Sequence, residues 1–158
     1  MHLDDIRQEG GVWIFDINSR EEKTLKNISS ERLIPIHPKL IEAGLLIHVD
    51  TMRAKGATRL FPELRNRREG YGQTASKWFV RFKKRCGIQA DKTFHSFRHT
   101  FINYLKQHQV STDLIKELAG HAVEGETMGR YGKRYTPEIL LREAIVKIDY
   151  DGLELLAR

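Results

Sequence analysis

The sequence predicts an α+β domain, mainly helical, with a small antiparallel sheet near the N-terminus. Two short runs rich in β-branched and aromatic residues lie within the first 36 positions, and helical spacing of apolar residues dominates the second half. No repeat, low-complexity tract or linker divides the chain. At 158 residues it is long enough for one domain with a real core and short for two, so residues 1–158 read as a single unit.

The elements follow in order. Residues 12–17, Val-Trp-Ile-Phe-Asp-Ile, and residues 31–36, Glu-Arg-Leu-Ile-Pro-Ile, have the composition of strands. The polar stretch 18–30 between them carries Lys23 and Lys26 and is expected to project as a hairpin tip. His37-Pro38 opens a short helix that Gly44 ends, and residues 57–61 are a candidate third strand. Residues 62–72, with Arg65, Arg67, Arg68, Gly70 and Gly72, read as a loop, after which Thr74 is a candidate cap. In the helix that follows, Ala75, Trp78, Phe79, Phe82 and Cys86 share a face expected to be core, while Lys77, Arg81, Lys84 and Arg85 line another. Phe97, Phe101, Tyr104 and Leu105 mark a second amphipathic helix. Ser111 caps a third, which contains Leu114, Ile115 and Leu118 and stops at Gly120. Thr136-Pro137-Glu138 starts a last helix, with Leu141, Ile145 and Ile148 on one face.

Composition narrows the class without deciding it. Hydrophobic residues make up 40% of the chain, and no apolar run approaches the roughly 18 residues of a membrane span. Met1-His2-Leu3-Asp4-Asp5 lacks the basic and apolar regions of a secretory signal, so a cytoplasmic setting is expected. The one cysteine, Cys86, is expected in the core and excludes an internal disulfide or a multi-thiolate zinc site. Lys and Arg number 27 against 21 Asp and Glu, a formal charge of +6 that favours a polyanionic partner.

Chemistry concentrates in a few places. His95-Ser96-Phe97-Arg98 puts an imidazole and a permanently charged planar guanidinium one turn apart at a helix start, where free amides add positive potential. Such a set can hold the non-bridging oxygens of a phosphodiester, although the same spacing also serves a cap and a surface ion pair. His121 follows Leu118-Ala119-Gly120 at the end of another helix. Tyr131 lies beyond the polar stretch containing Glu124-Gly125-Glu126, and Tyr135 is its rival; a phenol beside a base is a possible nucleophile, and otherwise a hydrogen-bonding group at a core edge. His95 and His99, four apart on a helix, would suit a zinc hydrolase, but the glutamate of that motif is absent and Arg98 would repel a cation.

Taken in order, Lys26, His95-Ser96-Phe97-Arg98, Leu118-Ala119-Gly120-His121 and Tyr131 resemble the tyrosine recombinase family of the phage-integrase type. The likeness extends over residues 3–148 and includes Arg98-His99-Thr100 and Thr127. It implies an integrase-type catalytic domain acting on double-stranded DNA, as a homotetramer in the full-length protein, with no metal, cofactor, membrane or small-molecule substrate. It further implies that Tyr131 attacks the scissile phosphate to leave a 3′-phosphotyrosyl link. Arg98 and His121 then bind the non-bridging oxygens, His95 assists proton movement and Lys26 protonates the departing 5′ oxygen.

Two features depart from the family pattern. The family's first catalytic arginine belongs in a helix before a segment like Leu3-Asp4-Asp5-Ile6, so the chain reads as truncated, without that helix or the arm and core-binding domains that usually precede it. The interval from His121 to Tyr131 is one residue longer than expected, which keeps Tyr135 in contention, although Tyr131 is preferred. Lys26 is preferred to Lys23 because it stands a few residues before Arg32-Leu33-Ile34-Pro35. A fragment lacking one of two arginines is expected to cleave weakly or not at all, so a non-catalytic DNA-binding or assembly module is the alternative. Leu153, Leu155 and Leu156 make the end of the chain too apolar for a simple tail; it docks either on a neighbouring subunit or on its own core.

Overall fold

The structure, a computed structural model, describes residues 1–20, 23, 30–66, 70–88, 91–121 and 134–150. A three-stranded antiparallel sheet in the order β1-β2-β3 is built from β1 (Ile6–Glu9), β2 (Val12–Ile17) and β3 (Arg32–Pro35). The register sets Ile6 opposite Phe15 and Ile14 opposite Pro35. Strand β1, which sequence reading did not anticipate, is only four residues long and mostly exposed. Its pairing depends on a tight turn at Gly10 and Gly11, both at positive φ (57° and 79°), the hairpin geometry that glycine adopts most readily. Pro35 is tolerated because β3 is an edge strand and its missing N–H costs no ladder bond.

Six α-helices follow among the described residues: α1 (Pro38–Glu42), α2 (Leu45–Ala54), α3 (Gly72–Arg85), α4 (Phe94–Gln107), α5 (Thr112–Ala119) and α6 (Pro137–Glu143). Two apolar cores result. One joins Leu3, Ile6, Ile36, Val49 and Leu60, with α2 packed beneath the sheet. The other joins Leu105 of α4, Leu114, Ile115 and Leu118 of α5, Leu140 of α6 and Ile145 and Ile148 just beyond it, with Ile34 of β3 against it. The second core therefore fastens α5 to the sheet edge. As expected, Ser111 Oγ accepts the Leu114 amide at the start of α5, and Pro137 occupies the first turn of α6.

Several expectations need correction. Residues 57–61 form no strand; they contribute one bridge, Arg59 to His2. Beyond Gly44 the chain turns directly into α2, which its weak amphipathicity had hidden. Helix α3 begins at Gly72, ahead of Thr74, with Tyr71 at its cap position. Its apolar stripe is not all core. Phe79 is buried against Phe94 and Phe97, at ring distances of 4.8 and 5.3 Å. Trp78 and Phe82 are 49% and 40% exposed and stack on each other at 5.0 Å, while Cys86 is exposed. Only the Phe79 side of α3 meets α4, so periodicity identified the helix but not which of its apolar residues would find a neighbour.

Candidate phosphate site

Helix α4 carries two of the candidate side chains. Thr93 caps it, exchanging bonds with Ser96 in a reciprocal box that fixes the first turn. His95 projects from that turn, exposed, with its ring edge-on to His99 at 4.7 Å. It borders an open hollow of about 710 Å³ between α3 and α4, shared with Phe79, Lys84 and Lys92. One turn on, Arg98 is half-buried. Among the described residues its guanidinium has no carboxylate partner.

His121 stands just past α5, where Gly120 takes a left-handed conformation (φ 66°). Glu117 O accepts the Gly120 amide at 3.1 Å and Lys116 O accepts that of His121 at 3.0 Å, so the corner is fixed by the helix's own last carbonyls. The imidazole is held below its ordinary value by desolvation first, then by the charges of Arg98, Lys106 and Lys116. Arg98 and His121, from different helices, thus share one electrostatic neighbourhood, and His121 is a neutral imidazole at pH 7.

Sequence reasoning used Arg32 only as a marker for β3; the structure brings it to the same corner. Its Nε donates to Leu118 O at 3.0 Å and its Nη1 to Ser30 O at 2.7 Å. Burial, and then the charge of Arg98, push its pKa down. The charge-rich Arg-x-x-Pro strand was the available signal, but nothing in the linear pattern says which helix end lies opposite.

Two of the five predicted site residues, Lys26 and Tyr131, lie outside the described residues. Their rivals do not. Lys23 Nζ pairs with Asp5 at 2.6 Å and donates to Asn18 Oδ1 at 3.1 Å, within a network at the sheet end. Tyr135 is exposed, and its backbone amide donates to Glu117 Oε2 at 3.3 Å. Burial raises the pKa of Glu117, against the lowering effects of that bond and of Arg134. Among the described residues no group of three or more His, Cys, Asp or Glu side chains is arranged to hold a metal, so the His95–His99 pair lacks a third ligand there. No described helix is long and apolar enough to cross a membrane.

The molecule is thus an α+β domain in which two guanidiniums and a neutral imidazole gather at a corner that holds no carboxylate among the described residues. The chain belongs to the phage integrase family, whose match covers residues 1–136, and this places it among tyrosine recombinases, proteins of site-specific DNA recombination. No curated protein and no solved structure matches it.

Proposed function

We propose that residues 1–158 are the greater part of a recombinase catalytic domain that cuts and rejoins double-stranded DNA through a 3′-phosphotyrosyl intermediate. The observation that carries this reading is the corner where Arg98 acts on His121 with no carboxylate among the described residues, in a chain of this family. A phosphodiester entering it would meet a guanidinium fork and an imidazole N–H already in place, the fixed donors that a pentacoordinate phosphorus needs for its equatorial oxygens. The phenolate oxygen of Tyr131 attacks phosphorus as the bond to the 5′ oxygen breaks. Lys26 gives that oxygen a proton, and His95 assists in moving the phenol's proton away. Phosphoester energy is kept in the tyrosyl link, so a 5′-hydroxyl can reverse the step and rejoin the strand. These residues are taken as part of a longer protein that carries the family's first arginine and works as a homotetramer in the cytoplasm.

Trapping the intermediate tests this. The longer protein is incubated with a library of nicked duplexes that release a short leaving fragment, then denatured and resolved for protein–DNA adducts. Wild type and Tyr135→Phe are expected to give adduct, and Tyr131→Phe none. Adduct lost only in Tyr135→Phe would move the nucleophile. DNA binding without adduct in any form would favour a non-catalytic DNA-binding or assembly module, the second reading.

A further inference from the structure

Every helix end leaves carbonyls without helical partners. At the end of α5 the amides of Gly120 and His121 satisfy Glu117 O and Lys116 O. Leu118 O lies beyond that closure, and Arg32 Nε takes it from another element. The second arm of the same guanidinium holds Ser30 O, in the stretch that leads from Lys26 into β3. The approach requires glycine at 120, because a Cβ there would lie 2.6 Å from Arg32 Nη1. Arg32 thus threads between the end of α5 and the start of β3 and touches both through backbone.

The choice of acceptors matters. A carboxylate between these elements would bind a guanidinium more strongly, but it would also cancel the positive field that Arg98 and His121 share. Carbonyl oxygens at a helix C-terminus bind a cation favourably and leave its full charge in place. Arg32 therefore fixes geometry without neutralising the corner, even though it stands desolvated beside another arginine.

We propose that Arg32 is a positioning residue of the phosphate site: by bridging Leu118 O and Ser30 O it holds the Gly120–His121 corner in the register that brings His121 to Arg98. The proposal rests on reading Arg98 and His121 as the phosphate-binding pair. Lysine cannot span both carbonyls, so Arg32→Lys keeps the charge and loses the bridge, whereas Arg32→Gln loses both.

The test follows single histidines by NMR through a pH titration of the 158-residue chain. His37 and His48, which bond Ile148 O and Leu60 O at 2.9 Å, report on the remaining fold. In wild type the His121 midpoint is expected below the ordinary imidazole value, with Arg98, Lys106 and Lys116 the charges that face it. In both variants it should rise toward that ordinary value of about 6.5 while the amide resonances around His37 and His48 stay in place. The shift in Arg32→Lys reads position alone. An unmoved His121 in folded Arg32→Lys overturns the proposal, and this variant decides the matter if Arg32→Gln does not fold. In the longer protein, Arg32→Lys should lower the rate of adduct formation roughly 10- to 100-fold while leaving DNA affinity nearly unchanged. An unchanged rate would overturn the positioning role. No adduct from wild type would instead count against the phosphotyrosine reading, with the titration still deciding whether Arg32 sets the corner.

Discussion

Two clusters of charge lie at opposite extremes of compensation. At the sheet end, Asp5 accepts from Lys23, Asn18 and the His2 amide, while Arg7 and Arg20 both reach Asp16, at 3.0 and 2.6 Å. Each of these cations has a carboxylate. At the α4–α5 corner Arg32, Arg98 and His121 meet with none among the described residues, and burial together with the charge of Arg98 lowers the pKa of both Arg32 and His121. Matched charge serves the fold, since a buried carboxylate such as Asp5, 3% exposed, needs its cation. Unmatched charge weakens the fold and is useful only when an anion arrives. The lysine of the first cluster and the arginine of the second therefore have different work, although composition counts them alike.

The largest effect should come from breaking the unmatched corner. Arg98→Met is expected to reduce adduct formation in the longer protein about 100- to 1000-fold, the usual cost of losing one donor to a transition-state oxygen. Thermal unfolding should stay where it was or rise, because a like charge beside Arg32 has gone. A clear fall in the melting midpoint would make Arg98 a structural residue and remove the contrast.

Lys23→Met should do the reverse. It leaves the Asp5 carboxylate buried without its cation, which costs about 3 kcal/mol in denaturant unfolding, while the folded fraction forms adduct at the wild-type rate. Lys26→Met should show the opposite pair of results, unfolding unchanged and adduct lost. If Lys23→Met proved stable and inactive, Lys23 would be the proton donor and the matched cluster would belong to the active site.

An anion alone should distinguish the clusters more gently. Inorganic phosphate at tens of millimolar, against chloride at equal ionic strength, is expected to stabilise the chain by about 0.5–1 kcal/mol, as any ligand of the folded state does. The gain should vanish in Arg98→Met and persist in Lys23→Met. Equal gains in all three would mean that phosphate acts on the protein surface at large.

How much of this was legible in sequence depends on range. Local rules located the cap and stop of α5, the start of α6 and the turn at Gly120, because the groups concerned are within a few residues of one another. They ran α6 on to Ile148, whereas it ends at Glu143 and a 3-10 turn at Ile145–Lys147 follows. Periodicity found α3 but overstated its burial: Trp78 and Phe82 have the right spacing for a core face, yet of the three rings only Phe79 is buried, against Phe94. Strand β1 was missed because four mostly exposed residues carry no alternation; the Gly10–Gly11 turn defines it. The proposed site residues His95, Arg98 and His121 stand as an ordered set in the sequence, whereas the contact of Arg32 with Leu118 spans 86 positions and has no local signature. A shorter but still non-local separation hid the role of Lys23, whose partner Asp5 lies 18 positions earlier.

The smallest effect is also the one that separates the clusters by pH. The imidazole of His121 is depressed in the folded chain, so the unfolded chain binds its proton more tightly. Its contribution to stability is complete above the ordinary imidazole value near 6.5 and is lost as pH falls through the folded value. Burial opposes charge on Asp5, but the bonds from Lys23, Asn18 and the His2 amide outweigh it and set its pKa below the usual carboxylate value. That contribution is complete above about pH 3.9 and is lost only on further acidification. Urea midpoints measured at steps from pH 7 downward should therefore show a shallow early loss and a steeper late one. His121→Asn should flatten the early loss and leave the late one, because asparagine does not titrate. If the early loss were equally deep in His121→Asn, protonation elsewhere would account for it, and burial and the charges of Arg98, Lys106 and Lys116 would not be holding that imidazole neutral.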